Sequence, residues 1–69
     1  MTYAVVYEQS PKNYSAYVPD LPGCIATGKT RAIVERRIRK GIAMHLEAMR
    51  EDGELVPLPT TSVGLVEIS

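Results

Sequence analysis

Apolar and polar positions alternate along residues 2–8, with Tyr3, Val5 and Tyr7 on one face and Ala4, Val6 and Glu8 on the other. Their β-branched and aromatic content makes this segment a strand. Ser10-Pro11-Lys12-Asn13 reads as a turn. The alternation resumes over 14–18. Tyr14, Ala16 and Val18 share the more apolar face, expected to lie under a helix, and Ser15 and Tyr17 share the other. A third, short strand is expected over 24–27, closed by Gly28. The period then changes from 2 to 3.6. Val34, Ile38, Gly41, Ile42, His45 and Met49 are spaced by 4, 3, 1, 3 and 4, which is one face of a helix. Thr30 suits its N-cap, and Gly53 supplies a stop after Glu51 or Asp52. Gly41 lies in the buried stripe at a cost of about 1 kcal/mol in helix propensity. Either a close approach of helix to sheet or tolerated packing accounts for it. Residues 55–59 are proline-set and extended, and residues 63–68 read as a last strand. The order β-β-β-α-β defines an α+β fold, one helix on one face of a small, mostly antiparallel sheet, in a single domain over 1–69.

Between the second and third strands lies Val18-Pro19-Asp20-Leu21-Pro22-Gly23-Cys24. Two prolines fix φ and remove two backbone donors, so the ladder must stop at Pro19. Asp20 can bond its own downstream backbone, and Gly23 permits φ > 0. The corner is expected to stand proud of the sheet. It reads either as a connector or as a preformed binding ridge, in which Tyr17, Asp20 and Leu21 are the candidate contact residues.

A second apolar group, Ile33, Met44 and Ala48, lies about 90° around the helix from the main stripe, with Arg37 between. Ile33, Arg37 and Met44 are the candidate subunit contact, against a reading of scattered surface apolar residues. A chain of 69 residues buries only about 60% of its unfolded surface. It has no Trp or Phe, and its single Cys24 allows no internal disulfide. Association into a homo-dimer or tetramer is the expected source of further stability.

Eight acids balance eight bases, which argues against general electrostatic binding to nucleic acid. The basic cluster Arg31, Arg36, Arg37, Arg39 and Lys40 fans around the helix as a solvated face or, alternatively, a nucleic-acid or acidic-partner patch. No apolar run approaches the roughly 20 residues of a membrane span, and the first residues lack a signal peptide's positive region. A reducing cytoplasm is the expected compartment. Catalytic chemistry is sparse. His45 reads as a core histidine rather than a base without a nucleophile, and Cys24 as a buried hydrophobe rather than a reactive thiol. Glu8 and Asp20 could meet across a hairpin end, a weak basis for a metal or acid–base site. No phosphate loop, HExxH or CxxC occurs, so no catalytic residue, metal site or cofactor is assigned. The outer sheet face, with Ser15, Tyr17 and Thr27, has the character of a contact surface.

Residues 14–24 from Tyr14 to Cys24, Thr27-Gly28, Thr30 opening the helix, His45-Leu46-Glu47, and Gly53 with Pro57 and Pro59 together closely resemble the HicB antitoxin family. The resemblance covers nearly the whole chain. It implies a partial RNase H-like fold and a non-enzymatic inhibitor that pairs with HicA, a small double-stranded-RNA-binding-like mRNA interferase toxin. Members block the toxin's catalytic histidine or RNA surface and commonly form dimers or tetramers. Many also carry a C-terminal DNA-binding segment. None is expected in this sequence, because no helical pattern follows Pro59. Nuclease activity is not implied, because the strands offer only Glu8 and Glu67 where Mg²⁺ chemistry needs several carboxylates. An orphan homo-oligomeric binding module without a toxin is the alternative.

Overall fold

The computed structural model describes all residues, 1–69. Three antiparallel strands, β1 (Val6–Gln9), β2 (Tyr14–Tyr17) and β3 (Ile25–Gly28), form a sheet in the order β1-β2-β3, and α1 (Arg31–Glu51) follows. The α+β class and the partial RNase H-like order of three strands then a helix are as the sequence predicts. The last strand is not formed. Residues 54–69 belong to no helix or strand, and 62–69 are exposed throughout. The pattern at 63–68 is that of a strand, but no neighbouring edge in this chain meets it.

The β1–β2 hairpin closes on Ser10 and Asn13. Ser10 N–H donates to Asn13 C=O at 2.9 Å, and the Ser10 hydroxyl donates to Asn13 Oδ1 at 2.7 Å. Helix α1 starts as its cap residue dictates, with the Thr30 hydroxyl accepting from Ile33 N–H at 3.2 Å. It stops in a Schellman motif. Gly53 takes φ +73° and donates to Arg50 C=O, and Glu54 N–H reaches back to Met49 C=O at 2.8 Å.

Helix α1 lies across β3 and β2, and meets β1 only through long side chains such as Arg31 over the Tyr7 ring. Six residues are buried: Ala16, Val18, Leu21, Cys24, Val34 and Ile38. Tyr3, Val5, Tyr7, Tyr14, Ala26, Ile42 and Leu46 pack around them. The inward face of β2 is thus the one with Ala16 and Val18, as the alternation requires. The close approach of helix to sheet falls at Gly28 rather than at Gly41. A Cβ on Gly28 would sit 2.8 Å from Ile33 Cγ2 and 3.2 Å from Val34 Cγ2, whereas one on Gly41 would meet only Cys24 Sγ at 3.8 Å. Such a core is small, and the molecule is elongated. Its radius of gyration is 13.5 Å, against about 11 Å for a compact chain of this length.

Candidate protein-contact site

The corner is two consecutive turns, each with proline at its second position. Leu21 N–H donates to Val18 C=O at 3.0 Å, and Cys24 N–H donates to Leu21 C=O at 3.0 Å. Gly23 follows Pro22 with φ +86°, the backbone of a type II turn. Val18 N–H donates to Cys24 C=O at 3.1 Å and closes the loop. Joined this way, the turns fold the Leu21 side chain inward, where it is wholly buried. Leu21 is therefore a core residue, not the contact residue expected of a corner standing proud. Cys24 is buried beside it, and burial pushes its thiol pKa up, which leaves it a small hydrophobe.

Asp20 is also committed within the chain. Its Oδ2 accepts the backbone N–H groups of Thr60 and Thr61, both at 3.1 Å. Its Oδ1 accepts their hydroxyls, at 3.1 and 2.8 Å. The Thr61 hydroxyl and N–H are the main reasons the Asp20 carboxyl sits below its ordinary pKa. Asp20 is thus a latch for the tail, and Tyr3 Oη holds the same tail through Pro57 C=O. The threonine pair was not singled out by sequence. Asp20 and Glu8 do not meet. Glu8 pairs with Ser15 toward the hairpin turn, and Asp20 lies beyond the opposite end of β2. No three His, Cys, Asp or Glu side chains gather.

What remains open is the sheet face away from α1. The register sets Val6, Tyr17 and Ile25 side by side across the three strands, and Glu8, Ser15 and Thr27 in the next row. Tyr17 is 41% and Ile25 71% exposed. The first row is a cross-strand apolar stripe without a covering layer, of a kind that marks interaction surfaces. The only charge among the six is Glu8. Six of the eight cations lie on α1, with Lys12 in the hairpin turn and Lys29 just before the helix, and two of the six are engaged. Arg31 stacks over the Tyr7 ring at 3.8 Å and pairs with Glu35 at 3.7 Å. Arg37 Nη1 donates to Thr27 C=O at 2.7 Å. Arg36, Arg39 and Lys40 are exposed.

The helix group is partly absorbed by the fold. Ile33 packs on Gly28, Arg37 holds β3, and Met44 remains 60% exposed. His45 is half-buried on the stripe that faces the sheet. No helix is long and apolar enough to cross a membrane.

The geometry is an α+β platform whose sheet is covered by a helix on one face and open, with an apolar row, on the other. The family profile described as HicB_like antitoxin of bacterial toxin-antitoxin system matches residues 3–67, and the chain belongs to that family. It is 35% identical over 57 residues to an uncharacterized 14.9 kDa protein of Haemophilus phage HP1, across 83% of this chain but only 43% of the phage protein. A UPF0150 protein of Archaeoglobus fulgidus is 32% identical over 66 residues, covering 91% of this chain and 96% of that protein. Among solved structures, a chain of a HicA3 and HicB3 toxin-antitoxin complex superposes with a TM-score of 0.72. It shares 27% identity and covers 87% of this chain and 70% of that one.

Proposed function

We propose that this chain is an antitoxin that neutralises a HicA-type mRNA interferase by direct protein–protein binding, with Tyr17, flanked by Val6 and Ile25, at the centre of the contact. The observation that carries this reading is the open Val6-Tyr17-Ile25 stripe on a chain of the HicB-like antitoxin family. The likeness to a chain of a HicA3 and HicB3 toxin-antitoxin complex supports the choice of partner. A toxin that grips RNA must present basic groups. The open face offers it aromatic and aliphatic area with Glu8 and no cation, whereas the helix side would repel it. The mechanism is masking: a basic RNA-binding surface held against this face is closed to its substrate. The protein itself turns over nothing, binds no nucleic acid directly and works in the cytoplasm where its partner would cleave message.

The test is capture of a small basic chain encoded beside this one, co-expressed with tagged protein, with affinity measured by calorimetry. Tyr17→Ala with Ile25→Asp should weaken the complex by at least about 30-fold, the effect of losing a hot spot of about 2 kcal/mol. Undiminished affinity would remove the open face from the interface. An orphan oligomeric module remains the second reading, favoured by the small core and the free edge of strand β1. It predicts no capture at all, from any neighbouring chain.

A further inference from the structure

Strand β1 has one side without a neighbour, and the register fixes which residues face it. Ser10 and Asn13 form a hydrogen-bonded pair, and Glu8 with Ser15 and Val6 with Tyr17 fall in the same phase. Bonded and non-bonded pairs alternate in an antiparallel ladder. Val6 and Glu8 therefore turn their amides toward β2, and Val5, Tyr7 and Gln9 turn theirs outward. Because α1 meets β1 only through long side chains, the side chains of Val5 and Tyr7 wall a cleft of about 220 Å³ with Ile38, Ile42, Glu35 and Arg39. The other edge of the sheet is guarded. The Val18–Cys24 bond sets Ile25 and Thr27 outward on β3, and there Arg37 occupies the Thr27 carbonyl.

The chain also carries a segment with strand character and no ladder. Residues 62–69 make no backbone hydrogen bond within the molecule. Val63, Leu65, Val66 and Ile68 are 68–101% exposed. In an extended run, Val63 and Leu65 lie on one face and Val66 and Ile68 on the other, the pattern of a strand covered on both sides. Six such residues span about 20 Å, enough to cover the edge from Val5 to Gln9. Beyond the Asp20 latch the segment runs free of its own sheet, in a molecule 46 Å long and 16 Å thick.

We propose that residues 63–68 of one copy add as a fourth strand to the free edge of β1 in a second copy, with reciprocal exchange making a two-fold dimer. The outward amides of Val5, Tyr7 and Gln9 supply the ladder. Alternate apolar side chains of the arm enter the cleft over Val5 and Tyr7, and the others extend the open face beside Val6. The occupant is a second copy because the missing strand is encoded in the same chain, yet within one copy it is exposed throughout and makes no ladder with the free edge. The inference is independent of any toxin.

Light scattering on the purified full-length chain at micromolar concentration should give twice the chain mass. Leu65→Asp with Val66→Asp should give the single-chain mass, with the helical circular dichroism at 222 nm and its cooperative melt retained, because both side chains are exposed and neither belongs to the core. In a Cys24→Ala background, one tagged copy carrying Gln9→Cys and another carrying Leu65→Cys should be joined by a short bismaleimide. A monomeric parent, or a dimer indifferent to the paired aspartates, would overturn the proposal. So would adducts that form only within single chains carrying both cysteines, which would place the arm on its own edge.

Discussion

The corner at 18–24 and the arm at 62–69 have opposite fates, although both are apolar and both lie outside the regular strands. The corner closes on itself through three backbone hydrogen bonds and sends Leu21 into the core. The arm has no such bonds and leaves Leu65 wholly exposed. The difference lies in how each segment meets the need of its backbone for partners. Prolines at the second position of each turn, with Gly23 in the left-handed region, let the corner satisfy itself locally. The run Val63-Gly64-Leu65-Val66 has no proline beside its glycine, forms no turn bond, and must find a neighbouring strand.

The sharpest way to break the comparison is to truncate one leucine in each region. Leu21→Ala should lose about 2–5 kcal/mol of stability, the range for a core leucine whose surroundings collapse incompletely. In a domain of this size that lowers the melting temperature by 10 °C or more, at roughly 4–8 °C per kcal/mol. Leu65→Ala should stay within about 0.5 kcal/mol when read at a protein concentration low enough for single chains, because its side chain is fully exposed within one copy. Chemical denaturation of both variants measures the contrast. Equal losses would mean that the arm is packed in solution.

Glycines sharpen the same point about local closure. Gly28→Ala should cost about 1–3 kcal/mol, because its methyl would press on Ile33 Cγ2 at 2.8 Å and on the buried Val34. Gly41→Ala should instead stabilise the protein by about 1 kcal/mol, because the methyl reaches only ordinary contact with Cys24 Sγ and the helix gains propensity. Thermal melts of the two single variants should move in opposite directions. A loss at Gly41 would show that the helix is seated more tightly on Cys24 than its 3.8 Å clearance allows.

The difference between corner and arm also explains what was legible in the sequence. Periodicity identified three strands, the helix, its buried stripe and both caps, because those features are local, although the first strand, expected over 2–8, forms only at Val6–Gln9. It identified which helix face meets the sheet but not which glycine lies at the closest point, since that depends on the residue opposite. It left out Leu46, one turn beyond Ile42 on the same stripe. Leu21 looked like a contact residue because corners are usually surface. Only the paired turns, each needing its own bond, reveal that the side chain must point inward. Residues 63–68 carry a strand's pattern but form no strand, since a pattern reports what a segment requires and not where its partner is. The Asp20 latch was illegible, because Thr60 and Thr61 lie 40 positions away and carry no periodic signal. On the open face, Tyr17 was picked out by alternation, and Ile25 beside it emerges only from the register.

That latch ties the corner to the start of the arm and supplies the smallest effect on global stability but a distinct one on pH. The Asp20 carboxyl is held below its ordinary value of 3.8 by the Thr61 and Thr60 donors. A carboxylate with a lowered pKa in the folded state contributes stability that is fully present above its unfolded value and is lost as pH falls through the folded one. The tail should therefore remain docked from neutral pH down to about pH 4 and detach below it. Asp20→Asn keeps an oxygen for the two backbone N–H groups and an amide for the two hydroxyls, so much of the geometry survives without the charge. Hydrogen exchange at Thr60 and Thr61 should quicken below pH 4 in the parent, after correction for the intrinsic rate. In Asp20→Asn it should be faster at neutral pH and flat across the same range. A parent profile as flat as that of the variant would mean that the tail is not held by this carboxylate, and the root of the arm would need another anchor on the corner.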